Sequence, residues 1–236
     1  MTVNDPVADS PADDAAPSRR ELAVARSLDP ARARAEKRVQ RFLDAALELM
    51  QTAPDREFTV QEVVEHSGQS LRSFYQYFAG KHELLLALFE ESVRTTAEQL
   101  RKVVDNEADP LERLHQFAVE YYRACRPVPP GRSARPNSAG AMAEFAQQLL
   151  TAHPKEASRA FAPVVSLLEE VLDQAAAAGV IRPGVHNQRI AGVLLQAIMF
   201  NAFADTISGS PVGPADDAAD ELWDLVLHGI GADAAA

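Results

Sequence analysis

Apolar and polar positions alternate along the chain with the period of helices, not of strands. From Arg34 the apolar residues Val39, Phe42, Leu43, Ala46, Leu49 and Met50 recur every three or four positions, and Pro54 follows. That spacing puts them on one face of a helix that ends before the proline. A second helix is expected from Thr59, because Thr59-Val60-Gln61-Glu62 fits a reciprocal cap, with Val60, Val63 and Val64 as its inward stripe. Gly68 suits the left-handed turn that closes it, and Ser70 can cap a short third helix that stops at Ala79-Gly80. A long helix then runs from about Lys81 to Val104.

The remaining chain reads the same way. Asp109-Pro110 starts a helix carrying Leu111, Leu114, Phe117, Tyr121 and Cys125. After a proline-rich loop at 126–137, helices are expected at 139–152, about 155–178, 187–207 and 215–229. With no alternating pattern of useful length, the expectation is an all-α chain of about nine helices.

Composition narrows the function. The single cysteine, Cys125, excludes an intramolecular disulfide and suits a reducing compartment. The N-terminus has no basic-then-apolar leader and the chain no apolar run of about 20 residues, so a cytoplasmic location is expected, without a membrane partner. The net charge of −11 argues at first against a nucleic-acid partner, but its distribution reverses that reading. Residues 1–18 carry −4 and residues 83–236 carry −9, whereas residues 19–82 carry +2. Arg19, Arg20, Arg26, Arg32, Arg34, Lys37 and Arg38 concentrate just before the short third helix. Local charge governs affinity for phosphate more than the whole-chain sum. A flexible basic arm here can lie in a minor groove, and a solvated tail is the alternative.

The segment "SGQSLRSFYQYF" carries the chemistry. On a helical wheel Leu71, Phe74 and Phe78 share an arc of roughly 60° and are expected in the core. Arg72, Ser73, Gln76 and Tyr77 fall opposite, with Tyr75 at the margin. A guanidinium, a hydroxyl, an amide and a phenol on one face can bond base edges or phosphates. Two helices joined by a glycine turn, the second short and polar-faced, make a helix-turn-helix, whose second helix enters the major groove.

At this level "FTVQEVVEHSGQSLRSFYQYFAGKHELLLALFEE" resembles the DNA-binding domain of the TetR family of bacterial transcriptional regulators. The likeness rests on Thr59, Gly68, the Phe74-Tyr75-x-Tyr77-Phe78 core and Lys81 before a leucine-rich helix, and covers about residues 35–90. Gln69 departs from it, since a small apolar residue is commoner in that turn. The resemblance implies phosphate contacts by Thr59, Tyr75 and Lys81. It implies base contacts by Arg72, Ser73 and Gln76, with Gln61, Ser70 and Tyr77 beside them. It also implies three divisions: a disordered tail at 1–30, the helix-turn-helix domain at 31–82, and a ligand-binding and dimerisation domain at 83–236.

The family's mode of action implies a ligand-responsive regulator, most simply a repressor. As a homodimer it binds a palindromic double-stranded operator, and a small, apolar effector releases it. The last two helices, "RIAGVLLQAIMFNAF" and "ELWDLVLHGI", suit the dimer role, with Ala191, Gly192, Ala197 and Ala202 small enough for close approach. Candidate effector contacts are His115, Phe117, Tyr121, Met142, Phe145, Phe161, Leu168, Leu172, Met199 and Phe203, a mix of rings and flexible methionine. Each is equally an ordinary core residue. The six histidines are scattered, and no metal, cofactor or catalytic residue is expected. A helical interaction module without DNA affinity is the alternative function; it requires the polar face of residues 72–77 to be incidental.

Overall fold

The computed structural model describes residues 19–52, 56–126, 142–182, 186–207 and 215–230. These residues form nine helices and no sheet: α1 (Arg19–Thr52), α2 (Val60–Ser67), α3 (Leu71–Tyr77), α4 (Lys81–Val104), α5 (Pro110–Cys125), α6 (Ala143–Ala152), α7 (Pro154–Ala177), α8 (Asn187–Ile207) and α9 (Ala215–Ile230). No described helix is long and apolar enough to cross a membrane.

The chain divides by contacts into two compact units, residues 1–41 and 42–236. In the first, α1 begins at Arg19, not at Arg34 as the apolar period suggested. The stretch from Arg19 to Pro30 therefore is not the coil, nor the flexible arm, expected of it; residues 1–18 lie outside the described chain. The reason is local propensity. Ala, Arg, Leu and Glu favour helix without needing an apolar stripe, and they carry the helix through Pro30, which removes one backbone bond and crowds the preceding turn. Arg34 Nε donates to the Pro30 carbonyl at 2.9 Å, and Arg32 pairs with Glu36 at 2.8 Å.

In the second unit, Phe42 is fully buried and meets Phe74 edge-on at 5.4 Å and Phe78 at 6.2 Å. With Val63 and Val64 these rings form a small core that holds α2 and α3. The larger core lies between α4, α5, α7 and α8, which pack in neighbouring pairs, with α6 against α7 and α9 against α5. Leu84, Leu100, Leu114, Phe117, Leu168 and Leu172 are fully or almost fully buried there. Gly179 takes a left-handed φ of 73° just past α7, a conformation that closes a helix at little cost only for glycine.

Candidate nucleic-acid interface and effector cavity

α2 and α3 are set by their caps. The Thr59 hydroxyl accepts from the Glu62 backbone N–H at 3.2 Å, while Glu62 Oε2 accepts from the Thr59 backbone N–H at 2.8 Å. This reciprocal pair is the cap expected from the sequence. Arg56 adds an ion pair to Glu62 Oε1 at 2.7 Å. The Thr59 backbone bond, with Arg56 and the Thr59 hydroxyl, holds the Glu62 carboxyl down at about 2. Gly68 closes α2 at φ 63°, where a side chain is strained. Ser70 then caps α3 by accepting from the Ser73 N–H at 3.1 Å. The chain thus turns in three residues between the helices, and each terminus is satisfied.

α3 is seven residues long, with Phe74 as its buried anchor. Arg72 and Gln76 are exposed and make no hydrogen bond or ion pair with another described residue. Tyr75 is 58% exposed while its ring edge packs on Phe74 at 5.4 Å. Tyr77 is half-buried. A guanidinium, an amide and a phenol therefore stand outward from a helix fixed by one buried ring.

Three details differ from the wheel. Leu71, expected in the core, is 42% exposed. As the first residue of α3, its Cβ tilts back toward the helix start, away from the Phe42–Phe74 cluster. Phe78 is buried, but it follows α3 with an extended backbone instead of continuing it. Ser73, expected to face bases, has its Oγ buried and without a partner among the described residues, so it reaches a base only after rotating.

The flanking candidates are engaged within the chain. Thr59 Oγ1 donates to Glu62 Oε2 at 2.9 Å, and Gln61 donates to Glu65 at 2.8 Å. Lys81 Nζ reaches Glu57 at 3.1 Å and lies 4.8 Å over the Phe58 ring. These side chains sit at the start of α2 and of α4, beside the polar face of α3. Their bonds are exposed, and such contacts contribute little stability.

A separate cavity opens in the larger core. It is small, about 30 Å³, and is lined by Phe89, Ser92, Val93, Thr96, Tyr121, Cys125, Ala146, Phe161, Val164, Met199 and Phe203. Phe89 meets Phe161 edge-on at 5.1 Å at its wall. Burial pushes the Cys125 thiol up to about 12, with the hydrogen-bonded Tyr121 hydroxyl opposing in part. The thiol is therefore protonated and inert at neutral pH.

Of the ten residues picked from the sequence, Tyr121, Phe161, Met199 and Phe203 line this cavity. The other six lie elsewhere. His115 stacks on Trp223 at 5.0 Å and reaches Asp220 at 3.2 Å, joining α5 to α9. Phe117, Leu168 and Leu172 are core, Met142 is buried ahead of α6, and Phe145 packs on Phe89 at 6.0 Å. The α4 wall was missed. Its residues 89, 92, 93 and 96 recur at helical spacing with two hydroxyls among them, a pattern present in the sequence.

The last two helices carry exposed apolar residues: Val193 at 57% and Phe200 at 60% on α8, and Leu225 at 70% on α9. Gly192 is exposed and Ala197 half-buried on the same side of α8, whereas Ala191 and Ala202 face inward.

Residues 42–88 match the profile of the bacterial regulatory proteins of the tetR family. No curated protein sequence matches the chain. Among solved structures, the transcriptional regulator FadR from Bacillus subtilis, in complex with stearoyl-CoA, is similar with a TM-score of 0.64 at 16% identity, over 81% of this chain and 98% of that one. SmeT, the repressor of a Stenotrophomonas maltophilia multidrug efflux pump, aligns with a TM-score of 0.60 at 17% identity, over 83% and 91%. The ketosteroid transcriptional regulator KstR2 of Mycobacterium tuberculosis gives 0.54 at 21% identity, over 83% and 96%. At these identities the structural likeness shows a shared fold.

Proposed function

We propose that this chain, whose residues 42–88 match the profile of the bacterial regulatory proteins of the tetR family, binds a palindromic operator as a homodimer and releases it when a small apolar effector enters and widens the cavity beside α4. It acts as a repressor, not an enzyme. The observation that carries this reading is α3 itself. A seven-residue helix anchored by Phe74 displays Arg72, Tyr75 and Gln76 to solvent, with Arg72 and Gln76 unbonded. A protein gains no stability from such a face, and it is suited to base edges: Arg to guanine, Gln to adenine. Thr59, Tyr75 and Lys81 are the proposed phosphate contacts, with Gln61, Ser70 and Tyr77 beside them; Ser73 contributes after rotation. The exposed Leu71 adds an apolar contact for a thymine methyl.

The dimer is assigned to α8 and α9. Val193, Ala197 and Phe200 recur along the outward side of α8, and Leu225 stands on α9. An exposed apolar stripe shared by two terminal helices suits a self-complementary twofold interface. That symmetry presents two recognition helices about one DNA turn apart. The cavity supports an apolar effector through its rings, Met199 and two valines, with Ser92, Thr96 and Tyr121 as the polar groups that orient it. The stearoyl-CoA complex and the ketosteroid regulator among the similar folds agree with that ligand class.

Selection of bound fragments from random duplex DNA tests the reading. Enriched sites with twofold-related halves are expected; a folded, dimeric protein that enriches no sequence overturns it. Charged replacement of both Phe200 and Leu225 is expected to yield monomers by sedimentation.

A further inference from the structure

His82, His153 and Glu156 lie together, with one ligand-type atom from each inside a 4.8 Å span. His82 belongs to the first turn of α4, and His153 and Glu156 open α7. The His82 and Glu156 side chains meet although 74 positions apart, with Nε2 2.8 Å from Oε2. His153 Nδ1 lies 3.8 Å from the same carboxylate, and the two imidazole rings stand 4.6 Å apart. The backbone holds the α7 pair in place, since the Glu156 N–H donates to the His153 carbonyl at 3.0 Å. All three side chains are a third to a half exposed, so an ion has access and water can complete its shell.

We propose that His82, His153 and Glu156 form a binding site for a zinc-type divalent ion that joins the start of α4 to the start of α7. Two imidazoles and a carboxylate are the donor set of many three-ligand zinc centres, with an open fourth position for water. Bonds of about 2.0–2.1 Å in a tetrahedron place ligand atoms about 3.3 Å apart. The observed separations lie on both sides of that value, so small rotations of exposed side chains close the site. The ion takes neutral imidazoles and replaces the direct His82–Glu156 hydrogen bond. The Arg159 guanidinium lies near Glu156. Arg159 opposes a cation, which places the affinity below that of a closed structural zinc centre. The sequence hid the site because His153-Pro-Lys-Glu156 gives two donors in one turn, while the third comes from another helix.

Titration of the chelator-stripped full chain with zinc chloride, by calorimetry, tests the assignment. One saturable site per chain is expected. His82→Gln, His153→Gln and Glu156→Gln each weaken it about 100-fold or more, beyond the range typical of losing an outer-shell partner. His228→Gln, on α9, leaves it unchanged. Failure to saturate, or unchanged affinity in the His82→Gln/His153→Gln double variant, overturns the proposal. Should that variant fold poorly, diethyl pyrocarbonate labelling of the unmutated chain decides. Zinc is expected to protect His82 and His153 together while His186 and His228 label as before; equal labelling of all four with and without zinc overturns the site. Neither measurement depends on DNA or effector binding.

Discussion

The helix-turn-helix and the cavity of the larger core are built by different kinds of interaction. α2 and α3 depend on short-range chemistry: Thr59 with Glu62, Gly68 in the left-handed turn, Ser70 with Ser73, and one aromatic cluster around Phe74. Each side-chain cap partner lies three residues from its mate. The cavity depends on helices that meet from far along the chain, α4, α5, α6, α7 and α8. Its walls owe little to caps or turns and almost everything to packing. The first region therefore presents a fixed surface, and the second a space whose shape follows whatever its helices do.

The largest test of that contrast is Phe74→Ala. A fully buried ring held by Phe42, Tyr75 and Phe78 leaves a cavity when removed, and the expected loss is about 3–5 kcal/mol in chemical denaturation. Phe161→Ala should cost less, about 1–3 kcal/mol, because the ring is half-exposed and already borders empty space. Equal losses would erase the distinction between a packed anchor and a cavity wall.

Next comes the Arg72→Ala/Gln76→Ala pair. Neither side chain bonds within the described chain, so melting temperature and dimerisation should hold. Operator affinity, by fluorescence anisotropy at fixed salt, should fall about 100-fold, or about 2.7 kcal/mol. A drop in stability of the same size would mean that the outward face supports the fold.

Thr59→Ala follows, at about 1 kcal/mol. It removes one side of the reciprocal cap, so its effect should appear in hydrogen exchange of α2 and not of α7. The smallest effect is acid-dependent. The Glu62 carboxyl is held at about 2, below its unfolded value, so its contribution is present above roughly pH 4.5 and lost as pH falls through about 2. Glu62→Gln should remove that contribution, lowering stability at neutral pH and flattening the profile between about pH 4.5 and 2, with the two proteins converging in acid. The other side of the comparison offers a null result of its own: Cys125, pushed up to about 12, should resist thiol reagents at pH 8 until the chain unfolds.

How much was legible in the sequence follows the same division. Thr59, Gly68, Ser70 and Asp109-Pro110 state their roles within three or four residues, and each cap forms as expected. The polar face of α3 was legible for Arg72, Tyr75 and Gln76, because a helical wheel needs only local spacing. Leu71 and Ser73 were not, since the first turn of a short helix departs from the wheel. The cavity was legible only in part. An aromatic stripe says that a face is buried, not whether it meets a neighbour or a void, and so His115 and Phe117 were indistinguishable from Tyr121 and Phe161. The Arg19–Pro30 part of α1 was missed because it forms on propensity, without an apolar pattern to announce it.

α4 runs unbroken for 24 residues from the end of the recognition segment, about 36 Å of hydrogen-bonded backbone. Phe89 stands on it about 12 Å from Lys81. A continuous helix stores almost no compression along its axis, so on the proposed mechanism a ring pushed aside at Phe89 would tilt or slide the whole bar. The bar's near end starts beside Gly80, two residues after Phe78, and would carry that motion to the seat of α3.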